Sequence, residues 1–206
     1  MKKEVINSQR DLKIISQNKE ELITKAQYGP SKLTRIPLKI TEDLAFFVGC
    51  IIGDGHLKKS KLQISIELTN RELIDYISKL CKGLFNRDFN VYSTKLKEGR
   101  KQAYHMCMDS KALHNLLNQF FEIPIGKKSH IVGIPKVILS SNKKIKIAFL
   151  RGLFFTEGGK RQRGYGLSTA SEQMWKDLGI IFRDIKVPIS KDSWTHKKYK
   201  KKYYGI

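Results

Sequence analysis

An acidic residue stands directly before a glycine at two places in the sequence, Asp54-Gly55 and Glu157-Gly158. Each pair closes an apolar segment that is predicted to be helical, and a helix C-terminus is already partly negative. If the two helices pack together, their carboxylates emerge side by side, repel each other and require a cation. Such oxygen ligands suit Mg²⁺, which also accepts phosphate oxygens. In a chain with a net charge of +21, this pairing predicts metal-dependent hydrolysis of phosphodiesters.

The two acidic segments are copies of one pattern, related by a constant offset of 103 residues. Small residues recur at every fourth position of each copy: Ala45, Gly49 and Gly53 in the first, and Ala148, Gly152 and Thr156 in the second. Positions spaced by four share one stripe of a helix, and small side chains there let another helix backbone approach closely. An acidic residue before a glycine is, alone, most often an ordinary helix end. Two such ends on matching helices predict a pseudo-two-fold interface that joins Asp54 and Glu157.

Helix and strand patterns follow each copy in the same order. Alternation of apolar and polar residues indicates half-buried strands, and capping side chains indicate where helices begin. The predicted strands are 62–69, 89–96 and 101–108 after the first copy, and 161–169, 189–195 and 203–206 after the second. The predicted N-caps include Thr41, Asn70, Ser110 and Ser171.

The repeat divides the chain into three predicted parts. Residues 1–35 form a polar N-terminal extension, within which residues 1–29 are expected to be one or two weak helices or a loosely attached arm. Residues 36–130 form the first half and residues 131–206 the second. Only 48 residues follow Gly158, so the second half is expected to be truncated and to lack its last helix.

The two segments resemble the paired motifs of the LAGLIDADG homing endonucleases. The matching stretches are FVGCIIGDG at 47–55 and LRGLFFTEG at 150–158, and the resemblance extends over about 36–206. It implies an α+β fold in which two αββαββα halves form a pseudo-two-fold repeat. The two LAGLIDADG helices would form the interface, and antiparallel sheets would form a saddle that lies in the major groove of DNA.

The resemblance also implies an activity, namely site-specific double-strand cleavage of DNA that leaves 3′ overhangs. Asp54 and Glu157 would bind Mg²⁺ or Mn²⁺, helped by the backbone carbonyls of Gly53 and Thr156. Lys160 stands where single-chain members of the family carry an active-site lysine, and its charge would act on the scissile phosphate or the attacking water.

The sequence departs from the family where a Gln or Lys often ends the second strand of each half. Those places hold Leu68 and Thr69 in the first half, and Thr169 and Ala170 in the second. This departure and the short second half leave two alternatives open: an RNA-binding intron maturase, and a non-cleaving DNA-binding regulator on the same fold. The retained acids favour the nuclease.

The charge balance indicates a polyanionic partner, since 40 Lys and Arg face 19 Asp and Glu; this is unlike a typical metabolic enzyme. Double-stranded DNA is the expected partner, with intron RNA as the alternative. Polar strand faces would contact bases, and lysines would contact phosphates, although a solvated sheet face explains about half of the strand positions equally well. The strand candidates are Gln63, Ser65, Glu67, Tyr92, Thr94, Lys95, Arg100, Gln102, Tyr104, Arg161, Arg163 and Tyr165. The lysine candidates are Lys197, Lys198, Lys200 and Lys201 at the last hairpin tip, and Lys58, Lys59, Lys61, Lys127 and Lys128 elsewhere.

No apolar run approaches the roughly 20 residues that span a bilayer, and the first residues lack the core of a signal peptide. These observations predict a cytoplasmic protein without a membrane partner. The internal repeat predicts a monomer that imitates a dimer, although a homodimer is not excluded.

Overall fold

The computed structural model describes residues 2–28, 31–59, 63–94, 102–161, 164–198 and 200–206, with only the backbone of Arg161. Three parts follow one another along the chain: a small N-terminal sheet and two copies of an α/β unit. The predicted α+β fold with antiparallel sheets in a repeated arrangement is confirmed. No helix of these described residues is long and apolar enough to cross a membrane.

The N-terminal part is a short helix followed by a three-stranded antiparallel sheet in the order β1-β2-β3. Its elements are α1 (Lys2–Asn7), β1 (Leu12–Gln17), β2 (Glu21–Ala26) and β3 (Thr34–Pro37). The prediction of weak helices or a loose arm over 1–29 is therefore wrong for most of this segment. Leu22 and Ile36 are completely buried in the main core. The sequence does not show the alternation of apolar and polar residues typical of a strand here, because the adjacent Ile14 and Ile15 of β1 are both exposed.

The first α/β unit has the predicted order αββαββα. It comprises α2 (Glu42–Gly53), β4 (Gly55–Lys58), β5 (Gln63–Leu68), α3 (Arg71–Phe85), β6 (Asn90–Ser93), β7 (Tyr104–Asp109) and α4 (Lys111–Asn115), which continues as a π-helical turn over Leu116–Phe120. The sheet order is β4-β5-β7-β6, with all neighbours antiparallel.

The second unit repeats this order through its last strand. It comprises a short α5 (Lys136–Leu139), then α6 (Lys143–Glu157), β8 (Gly158–Arg161), β9 (Gly164–Thr169), α7 (Glu172–Asp184), β10 (Asp192–His196) and β11 (Lys201–Gly205). The strand order β8-β9-β11-β10 matches that of the first sheet position by position. The two units are thus structural copies, and α2 corresponds to α6.

Each predicted N-cap closes its helix with a side-chain oxygen that accepts from the backbone N–H three residues later. Thr41 accepts from Leu44 at 3.2 Å, and Ser110 accepts from Leu113 at 3.3 Å. Asn70 and Ser171 make the equivalent bonds at the starts of α3 and α7. These local bonds explain why helix starts could be predicted from single residues.

Candidate functional site

The helices α2 and α6 cross at glycines that leave room for the opposite backbone. A Cβ added to Gly49 would meet the carbonyl oxygen of Phe149 and stand 2.8 Å from the backbone nitrogen of Leu153. A Cβ added to Gly152 would meet the carbonyl oxygen of Phe46 in the same way. Neither contact can be relieved by rotating a side chain, since both involve backbone atoms. Ala45 and Ala148, the other small residues of the stripes, are also buried.

The same crossing brings the ends of the two helices together at Gly53. A Cβ on Gly53 would meet the hydroxyl of Thr156 and stand 3.1 Å from Cγ of Glu157. Asp54 caps the C-terminus of α2 and is partly buried, whereas Glu157 is the last residue of α6 and is exposed. The structure therefore brings the two acids of the repeated motif to one place.

Burial and the charge of Glu157 raise the pKa of Asp54, the ammonium of Lys128 lowers it, and Glu67 adds a smaller increase. The net result is a pKa of about 6. A carboxylate with a raised pKa beside a second acid gains most from a nearby cation. The electrostatics of the site thus favour positive charge between the helix ends.

Lys128 supplies an ammonium to this site, a position that the sequence did not reveal. Its Nζ donates to the backbone carbonyl of Ile52 and, at 2.6 Å, to that of Gly53. Burial lowers the pKa of Lys128, while Glu157 and Asp54 act to raise it. In the sequence it is one of nine lysines expected to contact phosphate, and its neighbour Lys127 is exposed. Nothing local separates the two, because their difference arises from tertiary contacts.

The segment that carries Lys128 connects the two halves and is hydrogen-bonded to both. The N–H of Gly126 donates to the carbonyl of Leu57 in β4 at 2.8 Å. Farther along, Val132 accepts from the hydroxyl of Ser171 at 2.6 Å, and the N–H of Ile134 donates to the buried carboxylate of Asp177 at 2.8 Å. Lys128 lies between these anchors, so both halves determine its position.

The donor chemistry of the site fits a hard divalent cation. The described part of the chain contains no cluster of three or more His, Cys, Asp or Glu. A metal held by Asp54 and Glu157 therefore needs further oxygens, from the Gly53 and Thr156 carbonyls, water or phosphate, as Mg²⁺ commonly has. An adjacent cleft of about 370 Å³ is lined in part by Gly53, Lys128, Glu157, Lys201 and Tyr203. It leaves space for such a group beside Glu157 and the end of α2.

The register of the first sheet decides which strand residues share its polar face. Gln63 lies opposite Asp109, and Glu67 lies opposite His105, which in turn pairs with Tyr92. Ser65 belongs to this face but is only 4% exposed. Pairing also adds five residues that sequence alternation alone did not single out: His56, Lys58, His105, Cys107 and Asp109.

The prediction that Tyr104 faces DNA is wrong. Tyr104 pairs with Leu68 and therefore lies on the face of the sheet that packs on the core. Its ring is covered by the guanidinium of Arg71 at 5.4 Å. Gln102 and Thr94 lie where the hairpin opens, and the Gln102 amide donates to the Thr94 carbonyl at 2.7 Å. Lys95, Arg100, Arg163 and the side chain of Arg161 lie outside what the structure describes.

The second sheet corrects one further prediction, that Tyr165 faces DNA. Lys160 pairs directly with Tyr165, and Tyr165 lies two residues from the buried Leu167 on the same strand. Strand alternation therefore places Tyr165 on the helix-bearing face, not on the predicted DNA-facing one. Lys160 corresponds to the completely buried Leu57 of the first half but is itself exposed, and its role as an active-site lysine stays a prediction. Lys128, by contrast, is hydrogen-bonded to the end of α2.

The last hairpin brings basic and aromatic residues to the cleft. Lys201 and Tyr203 line it, and the Tyr203 ring stacks with Trp194 at 6.1 Å between centroids. Lys197, Lys198 and Lys200 are exposed at the tip between β10 and β11. The predicted lysine-rich tip thus extends from the edge of the second sheet.

Sequence comparison finds segments of much larger proteins, and no protein-family model matches the chain. The sequence is 28% identical over 185 residues to a probable translation initiation factor IF-2 of Methanocaldococcus jannaschii, covering 86% of this chain and 15% of that protein. It is 34% identical over 157 residues to the replication factor C small subunit of the same organism, covering 69% and 8%. A DNA polymerase of Acanthamoeba polyphaga mimivirus is 24% identical over 143 residues, covering 68% and 8%. The chain therefore spans a sixth or less of the length of these relatives.

Structural comparison finds the LAGLIDADG fold. The homing endonuclease I-DmoI in complex with DNA and Mn aligns with a TM-score of 0.56 and 18% identity, covering 80% of this chain and 88% of that one. The N-terminal LAGLIDADG domain of DUF199/WhiA aligns with a TM-score of 0.51 and 16% identity, covering 80% and 74%. At these identities the likeness establishes the fold, and function has to be argued from the site.

Proposed function

We propose that this protein is a metal-dependent, site-specific DNA endonuclease of the homing type. The observation that carries the proposal is the meeting of Asp54 and Glu157 at the ends of two glycine-packed helices. Two acids at one site in a chain of net charge +21 suit a divalent ion and a polyanionic substrate. The complex of I-DmoI with DNA and Mn supports the same reading.

The names of the sequence relatives support the homing part of the proposal. They include a translation initiation factor, a replication factor subunit and a DNA polymerase, which share no activity. The chain matches only 8–15% of each. A segment shared by unrelated proteins in this way is what insertion of a mobile module into different hosts would produce.

In the proposed reaction, DNA lies along the polar faces of the two sheets. Gln63, Glu67 and Tyr92 would contact bases, whereas the hairpin lysines would contact phosphates. Asp54, Glu157 and the carbonyls of Gly53 and Thr156 would hold the metal. A divalent ion there supplies positive charge to the scissile phosphate and lowers the pKa of the attacking water. Cleavage of both strands, with 3′ overhangs, follows the family resemblance.

A non-cleaving DNA-binding protein is the second candidate. The observation that favours it is the Lys128 ammonium, because it already places a positive charge beside the acids without any metal. Such a protein would keep the helix interface and the basic surfaces while losing metal-dependent chemistry. An intron maturase is the third possibility, and it makes a different prediction about the preferred nucleic acid.

The proposal is tested with supercoiled plasmid that carries the uninterrupted sequence of the gene in which this coding region lies. Protein is added with Mg²⁺, Mn²⁺ or EDTA, beside the variants Asp54→Asn and Glu157→Gln, which keep side-chain shape. Metal-dependent linearisation that both variants lose is the expected result. Tight, salt-sensitive binding without any cut would reject the endonuclease in favour of the regulator. Preference for structured intron RNA over the DNA site would favour the maturase.

A further inference from the structure

Lys128 occupies the place where the proposed metal site needs a cation. Its Nζ donates to the Gly53 carbonyl at 2.6 Å and also to the Ile52 carbonyl, the last two carbonyls of α2. The Gly53 carbonyl is one of the oxygens assigned above to the divalent ion. An ammonium and a divalent ion at one carbonyl repel each other strongly, since little water separates them.

This ammonium is built into the site by the surrounding fold. The segment around it is attached to the first half through Gly126 and to the second half through Val132 and Ile134. Within that segment, the N–H of Val132 donates to the carbonyl of Lys128 itself at 2.8 Å. These bonds fix the backbone from which the side chain reaches the end of α2.

The two ends of the site are unequal as a result. At the end of α2, Asp54 is partly buried and lies near the ammonium. At the end of α6, Glu157 is exposed, and the N–H of Gly158 donates to the Phe154 carbonyl. The Lys128 charge acts on both acids, but its hydrogen bonds are to the carbonyls at the end of α2, so a divalent ion must replace the ammonium only there.

We propose that Lys128 is a resident counter-cation that competes with divalent metal for the α2 end of the site. Metal binding by Asp54 and the Gly53 carbonyl displaces the ammonium, and the Lys128 charge lowers the affinity of the site for metal. The inference rests on the proposed function, because it takes these oxygens as metal ligands. It adds that the Lys128 charge raises the metal concentration that is needed to fill the site.

Metal binding without DNA tests this proposal directly. Mn²⁺ is titrated into the full chain, and free Mn²⁺ is followed by electron paramagnetic resonance for the wild type, Lys128→Met and Lys127→Met. The Asp54→Asn variant defines binding elsewhere. We expect Lys128→Met to bind Mn²⁺ at the Asp54-dependent site at least about tenfold more tightly than the wild type. Lys127→Met removes the same charge from the exposed neighbour and is expected to leave the affinity within about twofold, because exposed charges are screened.

Two further variants keep the test decisive if Lys128→Met does not fold. Lys128→Gln retains a donor for the two carbonyls without the charge, so the same tightening is expected. Lys128→Arg retains the charge, so wild-type affinity is expected. Folding is checked by circular dichroism. Unchanged or weaker Asp54-dependent binding in folded Lys128→Gln, or no such binding in any protein, overturns the inference.

The plasmid assay keeps this inference separate from the proposed function. A protein whose Lys128 variants bind Mn²⁺ more tightly, but which cuts no DNA, would support the counter-cation and reject the endonuclease. A protein that cuts DNA, but whose metal affinity does not change in the Lys128 variants, would support the endonuclease and reject the counter-cation.

Discussion

Gly49 and Gly152 face each other's helices at one crossing, each seated against a carbonyl of the opposite backbone. This reciprocal contact positions the ends of α2 and α6, and with them Asp54 and Glu157. The interface therefore controls the site from a distance, since neither glycine touches an acid.

Gly49→Ala is expected to lower the free energy of unfolding by at least about 2 kcal/mol, because the new methyl group collides with the backbone of α6. Gly83→Ala is the matched control. It lies in α3, where an added Cβ meets nothing within 4 Å, and there alanine is expected to stabilise by up to about 1 kcal/mol. Urea unfolding measures both. Equal effects of the two substitutions would show that the close helix contact is absent in solution.

The raised pKa of Asp54, about 6, makes its carboxylate unfavourable in the metal-free fold. Its contribution to stability is therefore complete below the unfolded pKa of 3.8 and is lost as pH rises through about 6. We expect metal-free Asp54→Asn to be more stable than the wild type at pH 8, by about 1–2 kcal/mol after allowance for solvent screening. The difference should shrink strongly towards pH 4 and vanish below the unfolded pKa. Thermal unfolding with EDTA at both pH values provides the measurement, and a difference that is independent of pH would contradict it.

Leu22 tests whether the N-terminal sheet is an integral part of the folded unit. It is completely buried, so Leu22→Ala is expected to cost about 2–5 kcal/mol of unfolding free energy in a single cooperative transition. Ile14→Ala, on the neighbouring strand and 43% exposed, is expected to cost less than about 1 kcal/mol. Denaturant unfolding followed by tryptophan fluorescence compares them. Two equally mild effects would mean that the sheet is attached only loosely.

The lysines of the last hairpin tip should set the salt dependence of DNA binding. Replacing Lys197 and Lys200 with Gln is expected to reduce the slope of log affinity against log salt concentration by about 1–2 units, because fewer counterions are released. Replacing Lys143 and Lys144 with Gln is the control. These two lysines begin α6, whereas Glu157 ends it, so they lie at the opposite end of the helix from the candidate site. Fluorescence anisotropy at several salt concentrations measures the slopes. A larger loss from the control pair would place the DNA on another surface.

The elements that could be predicted from the sequence are those whose signals are local. Thr41, Ser110 and Ser171 each form the expected cap, and the stripe of Gly49 and Gly53 predicted the close helix contact seen between α2 and α6. The N-terminal strands could not be predicted, because Ile14 and Ile15 are exposed while the polar Thr24 and Thr34 are buried, so apolar residues do not mark the buried face.

The face of the sheet on which a side chain lies could not be predicted for every residue, because it depends on how neighbouring strands pair. A register error of one residue moves a side chain to the other face of the sheet, and this accounts for Tyr104 and Tyr165. Lys128 was missed for a related reason. Its role depends on hydrogen bonds made by residues as distant in sequence as Leu57 and Asp177.

The anchored segment between the halves has a mechanical consequence. Its hydrogen bonds to Leu57 in the first half and to Ser171 and Asp177 in the second half restrict its movement. A nucleic acid that bent or twisted on binding and turned one half against the other would therefore pull on the peptide that bears Lys128. Deformation of the bound duplex would then move the Lys128 ammonium and so change the positive charge next to Asp54 and Glu157.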